Sequence, residues 1–172
     1  MKKLKLKNDQ IVYSLLFFII FTITIQISTR SILLNEVENL SSDIPISTDL
    51  AVVWINLILV ILSVIAVIIL SLILKFIVGF IGTKQNFSIG MNLYIYISSI
   101  LPSFIIISLV TYFNNGISVI DNEWLSILSI ILNSALYSIL LRKFSIIEKR
   151  EAIITFVVML LLNILIAILK FI

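Results

Sequence analysis

The side chains that most often perform chemistry are scarce in this sequence and poorly distributed for it. Histidine and cysteine are absent, which removes the usual general base at neutral pH, thiol nucleophiles, disulfides and imidazole or thiolate metal ligands. All nine Asp and Glu residues fall outside the middle of the long apolar runs. An intramembrane protease needs paired aspartates, a glutamate with histidines, or a serine with a base, and no such set can be assembled. Proton-coupled transport through a carboxylate at mid-membrane depth is disfavoured for the same reason. These residues point to a non-enzymatic protein that uses no cofactor or metal. Nucleic acid is also disfavoured as a partner, because no basic stripe interleaved with aromatics occurs beyond the short N-terminal lysine run.

What the apolar runs do contain is neutral and polar. Asn92, Tyr96, Ser99 and Ser103 recur at steps of four, three and four, so a helix carries them on one face. Ser126, Ser129, Asn133 and Tyr137 do likewise in the next run, and Asn56, Ser63 and Ser71 form a sparser stripe before them. Thr155 with Asn163, and Thr22 with Gln26, complete the set in the last and first runs. Two readings fit such stripes. They are seams where helices pack closely and hydrogen-bond across, or they line a cleft for a substrate or a partner's transmembrane helix, with the two tyrosines facing it. An antiparallel pair of helices joined by the short loop 114–123 would set Ser103 near Ser129 and Tyr96 near Tyr137.

The elements that must carry these residues are membrane spans. Of the 172 residues, 61% are hydrophobic and 12% charged, and the mean hydropathy is +1.25, which lies outside the range of soluble domains. The length suits one bundle and no second domain. Apolar runs predict an all-α polytopic bundle with spans at about 11–28, 51–78, 88–113, 124–141 and 152–172. The first run is longer than a signal-peptide core and no small-x-small cleavage site follows it, so it reads as a retained span. Residues 29–50, which include Glu36, Glu38, Asp43 and Asp49, read as an outer loop. Within it Leu33, Val37 and Leu40 stand at helical spacing, giving either a short helix on the membrane surface or a solvated loop. Pro102 predicts a kink in the third span.

Orientation follows from the basic residues, which are retained in cytoplasmic loops during insertion. Lys2, Lys3, Lys5, Lys7, Lys75, Lys84, Arg142, Lys143, Lys149 and Arg150 fall on one side of the five-span scheme, and only Arg30 and Lys170 on the other. This asymmetry predicts a cytoplasmic N-terminus and an outer C-terminus. Lys75 sits where it can snorkel to the inner headgroups. Tyr13, Trp54, Tyr112 and Trp124 lie near span ends, where amphipathic rings favour the interface.

One stretch carries a resemblance. The long apolar second run, the turn Gly82-Thr83-Lys84-Gln85-Asn86-Phe87, and then Tyr96 and Pro102 resemble the glycine, phenylalanine, tyrosine and proline pattern of the YIP family of five-span membrane proteins. The step from Tyr96 to Pro102 is longer than that family's usual one, and the long N-terminal region of its eukaryotic members is missing. The resemblance implies a non-catalytic protein of a bacterial cell membrane that works through another membrane protein or a second copy of itself. An accessory or immunity component of an ABC-type export or toxin-protection system is the function expected. A small permease or half-transporter with a neutral polar path is the alternative, and a membrane-shaping protein is a third.

Overall fold

The computed structural model describes residues 4–39 and 48–169. Five helices follow one another: α1 (Asn8–Asn39), α2 (Thr48–Ile81), α3 (Ile89–Phe113), α4 (Glu123–Lys143) and α5 (Lys149–Leu169). Among the described residues there is no strand beyond one isolated bridge, between Leu4 and Phe87. Four of the helices are long and apolar enough to cross a membrane, over Asn8–Val37, Leu50–Ile81, Ile89–Phe113 and Glu123–Lys143. α5 opens on the charged Lys149, Arg150 and Glu151, and its apolar run starts at Ala152. The fold is an all-α bundle compatible with a multi-pass membrane protein.

Local chemistry explains where the helices stop. Gln10 accepts from the Lys7 N–H at 2.9 Å, the backward half of a capping box at the start of α1. Ser88 accepts from the Met91 N–H to open α3, and Asn122 accepts from the Leu125 N–H to open α4, each at 3.1 Å. α3 and α4 close in the same way. Asn115 and Ser145 enter the left-handed region at φ 56°, and the N–H of the next residue returns to a carbonyl five positions back, Gly116 to Thr111 and Ile146 to Leu141. α2 ends at Gly82, whose φ of 121° a side chain would strain. α3 runs uninterrupted through Pro102.

The structure departs from expectation on the outer side. α1 does not end near residue 28 but continues to Asn39, so the part of the expected outer loop up to that point is helical. No glycine or proline interrupts this stretch. Leu33 and Val37 are buried, and Ser31 accepts from the Ser118 N–H at 2.9 Å. The α3–α4 loop thus leans on the extension, and the apolar spacing that suggested a separate surface helix continues α1 instead. Leu40 and Asp43 lie outside the described residues, as do Lys2, Lys3 and Lys170.

α3 is the central helix, packed by α1, α2 and α4, while α5 rests mainly on α4 and more lightly on α2. α3 buries the largest share of its surface. α2 turns most of its apolar side chains outward, Ile61, Leu62, Ile65 and Ile69 among them. In water such a face would drive aggregation; in hydrocarbon it is the expected exterior.

Three polar segments are knitted together at one end of the bundle. Leu4 donates to the Asn86 carbonyl at 2.8 Å and accepts from the Ser88 N–H at 2.9 Å. Lys84 N–H donates to the Ile146 carbonyl at 2.8 Å, and the Gln85 amide donates to the carbonyls of Ser145 at 2.8 Å and Phe144 at 3.3 Å. Leu6 lies so close to Gly90 that a Cβ there would stand 2.8 Å from Leu6 Cδ1. Phe87, Ile146 and Ile147 are buried beneath this knit. Lys75, expected to reach for headgroups, has its ammonium 5.2 Å from the centre of the Phe87 ring, an attraction between cation and ring face.

Gln85→Ala removes two bonds to the carbonyls that close α4 and is expected to lower stability by about 1–2 kcal/mol. Glu148→Ala breaks only the exposed 3.4 Å ion pair with Lys84 and is expected to cost less than about 0.5 kcal/mol. Thermal unfolding of both variants in detergent checks the ranking.

Candidate functional site

The polar stripes of α3 and α4 do meet. Asn92 is fully buried, and its amide works in two directions: Oδ1 accepts from the Tyr137 hydroxyl at 2.7 Å, and Nδ2 donates to the Ser71 carbonyl at 2.5 Å. One side chain therefore joins α3 to both α4 and α2. The rings of Tyr96 and Tyr137 meet edge to face, 6.0 Å between centres at 86°, the arrangement aromatic quadrupoles favour. Further along, the Ser103 hydroxyl donates to Asn133 Oδ1 at 2.5 Å.

The partner of Ser103 differs from expectation. Ser129 is half-buried and makes no side-chain hydrogen bond among the described residues, and the same holds for Ser126. The physical reason is reach: an amide one turn further along α4 spans the gap that a short serine hydroxyl does not. Ser99 is buried but turns back to the Tyr96 carbonyl of its own helix at 2.6 Å. Asn56 stands apart near the other end of α2, its Oδ1 enclosed without a partner.

A second seam escaped the sequence reading. On α1 the expected Thr22 bonds back to the Phe18 carbonyl and Gln26 is exposed. Thr24 and Ser28 form the contact instead. The Ser108 hydroxyl of α3 donates to the Thr24 carbonyl at 3.0 Å and lies 3.3 Å from the Ser28 hydroxyl. The signal was present as small residues at positions 24, 28 and 31, one helical face, set against Ser108 and Thr111. Ser134 was also missed; it accepts from the Asn163 amide at 3.3 Å and ties α5 to α4.

Of the family-like residues, Gly82 shapes the turn, Phe87 is buried under Lys75, and Tyr96 belongs to the aromatic pair. Pro102 follows Leu101 on the buried side of α3 but is itself only half-buried. No family model, curated protein or solved structure matches the chain.

Beside the seam lies a cavity of about 150 Å³ between α2, α3 and α5, lined by Leu70, Leu74, Tyr96, Met159, Asn163 and Ile166 among others. Its walls are almost wholly apolar. Among the described residues no group of three or more His, Cys, Asp or Glu is arranged to hold a metal ion. The site as built can pack helices and can accommodate a small molecule, and it presents no nucleophile paired with a base.

Asn92→Leu strands the Tyr137 hydroxyl and removes the cross-helix bond to the Ser71 carbonyl, and the expected loss is about 2 kcal/mol. Asn133→Leu strands only Ser103, with an expected loss of about 1 kcal/mol. Adding Tyr137→Phe to Asn92→Leu should cost little more, since the phenol has already lost its acceptor. Unfolding measurements on these variants and on Tyr137→Phe alone test this, and strict additivity of the Asn92 and Tyr137 changes would contradict it.

Proposed function

We propose that this chain is a non-catalytic protein of a bacterial cell membrane, with five spans, the N-terminus in the cytoplasm and the C-terminus outside. It acts through a second membrane protein, or a second copy of itself, as an accessory or immunity component of an ABC-type export or toxin-protection system. The role in export comes from the resemblance to the YIP family carried by Gly82, Phe87, Tyr96 and Pro102. The orientation comes from the basic residues: Lys84 lies in the turn bonded to the N-terminal segment, and Arg142, Lys143, Lys149 and Arg150 end α4 and open α5 on either side of the turn that Lys84 bonds to.

The observation that carries the reading is the closure of the seam. Asn92 and Tyr137 bond to each other while fully buried, so the most polar point inside the bundle holds the protein's own helices together. The outer faces of α1 and α2 are apolar and, among the described residues, uncovered, leaving them for lipid or for a partner's helix. The permease alternative is favoured by one feature, the cavity bordered by Tyr96 and Asn163. A membrane-shaping role called for a surface helix at 33–40, whereas residues 33–39 belong to α1.

Cysteine labelling tests the topology against a background that contains no thiol. Asn115→Cys is expected to react with an impermeant reagent in intact cells, and Lys84→Cys only after permeabilisation; the reverse pattern rejects the orientation. Purification in mild detergent after crosslinking is expected to recover a second membrane protein or a dimer. Recovery of a monomer that moves a solute across proteoliposomes would replace this reading with the permease.

A further inference from the structure

The cavity between α2, α3 and α5 opens to one side. Its inner wall, Leu74 and Met159, is buried, and Leu70 and Leu162 are half-buried. At its outer edge Ile73 and Ile166 are 47% and 43% exposed. A sealed void would have buried residues all round, so this gradient describes a pocket whose mouth lies on the outer face of the bundle. Leu70, Ile73 and Leu74 share one face of α2, and Met159, Leu162 and Ile166 share one face of α5. The mouth is therefore the gap between these two helices, which touch only lightly.

Depth decides what surrounds that mouth. The position a Cβ would take on Gly82 lies 4.0 Å from Glu151 Cγ, so the end of α2 is level with the charged start of α5. At 1.5 Å per residue, Met159 and Ile166 lie about 12 and 22 Å along α5 from Glu151, well inside a hydrocarbon layer about 30 Å thick. The surroundings at that depth are acyl chains. The lining agrees with them: the Asn163 amide is engaged by the Ser134 hydroxyl at 3.3 Å, the Tyr96 ring stands against Tyr137, and the remaining wall is Leu, Ile and Met. A volume of about 150 Å³ with such walls stays dry and takes apolar guests, and left empty it forfeits the contacts of every side chain around it.

The rival occupant is a helix of a second copy or of another protein. Helices approach closely in hydrocarbon through small residues, or through polar groups that bond across. The exposed side chains around the mouth are Ile69, Leu72, Ile73, Phe76, Leu165 and Ile166, which are bulky and carry no polar atom. Such a rim holds a helix backbone away, whereas a flexible hydrocarbon chain can enter between its members.

We propose that this pocket binds the hydrocarbon tail of a membrane lipid, which enters sideways between α2 and α5 and completes the packing of α5 on the bundle. The recognised group is the acyl chain, whatever the headgroup. The proposal rests on the reading of α5 as a span, and on neither the orientation nor the role in export.

The test uses the full chain in phosphatidylcholine vesicles, a fraction of whose lipid carries a photoactivatable diazirine midway along one chain; after irradiation the labelled residues are mapped by mass spectrometry. Ile65 of α2 and Val157 and Leu161 of α5 are exposed lipid-facing references, and Ile95 is a fully buried one. Met159 and Leu74 are expected to take at least about tenfold more label than Ile95, since a close-packed interior admits no reagent. Leu162→Phe, which fills the pocket, is expected to abolish most of the Met159 label and leave that of Ile65 unchanged. If the reference residues are labelled in the wild-type chain while Met159 and Leu74 stay at the level of Ile95, the pocket holds no acyl chain and the proposal is overturned, whether or not Leu162→Phe folds. If Val157 and Leu161 stay unlabelled while Ile65 reacts, α5 does not lie in hydrocarbon and the five-span reading falls together with the proposal. If Met159 escapes label and Ile73→Cys, in a background without thiols, forms a disulfide-linked dimer, a second copy covers the mouth and the proposal is likewise overturned.

Discussion

The Asn92 amide is the interaction on which the rest of the bundle depends. An amide offers donors and an acceptor in one plane, and here the acceptor takes the Tyr137 phenol while a donor meets the Ser71 carbonyl. Apolar side chains give little preference among helix neighbours in hydrocarbon, because lipid tails are as good a surrounding as another leucine. A buried amide restores that preference. It makes one rotation and one depth of α2, α3 and α4 better than the others, since any other arrangement leaves polar atoms stranded. The Tyr96–Tyr137 contact and the Ser103–Asn133 bond then fall along a line whose register is already set.

Around that point the bundle uses smaller devices. Thr24, Ser28 and Ser108 bring α1 against α3 through hydroxyls that lose little conformational freedom and leave little bulk between the backbones. At the polar end, main-chain bonds of Leu4 tie the N-terminal segment to the α2–α3 turn, and the Lys84 N–H and the Gln85 side-chain amide tie that turn to the α4–α5 turn. This part of the chain is the one where water competes for every hydrogen bond, and it compensates with number and with the burial of Phe87, Ile146 and Ile147. The central helix is held from three sides and the last helix from essentially two, which places the loosest boundary between α2 and α5.

That boundary collects what the seams exclude: a cavity, a tyrosine hydroxyl, and the unpartnered oxygens of Glu151 and Thr155. A carboxylate in the first turn of α5 is also favoured by the positive end of the helix dipole, which eases its partial burial.

The amino-acid sequence by itself determined the solvent and the class of fold. Runs of Ile, Leu and Val long enough to cross hydrocarbon permit only self-satisfied helices, and Ser88, Asn122, Asn115 and Gly116 mark where those helices start and stop. It also placed the polar residues of α3 and α4 on facing stripes, because helical period is a local property. The tertiary structure decided which members of those stripes bond. Ser103 met Asn133 instead of Ser129, Thr24 and Ser28 took the place expected for Thr22 and Gln26, and α1 ran on to Asn39, with Leu33 and Val37 buried and Ser31 bonded to the α3–α4 loop. Periodicity gives the face of a helix to within a stripe; the rotation within that stripe and the depth of each partner depend on the reach of side chains from other helices, which no local pattern encodes.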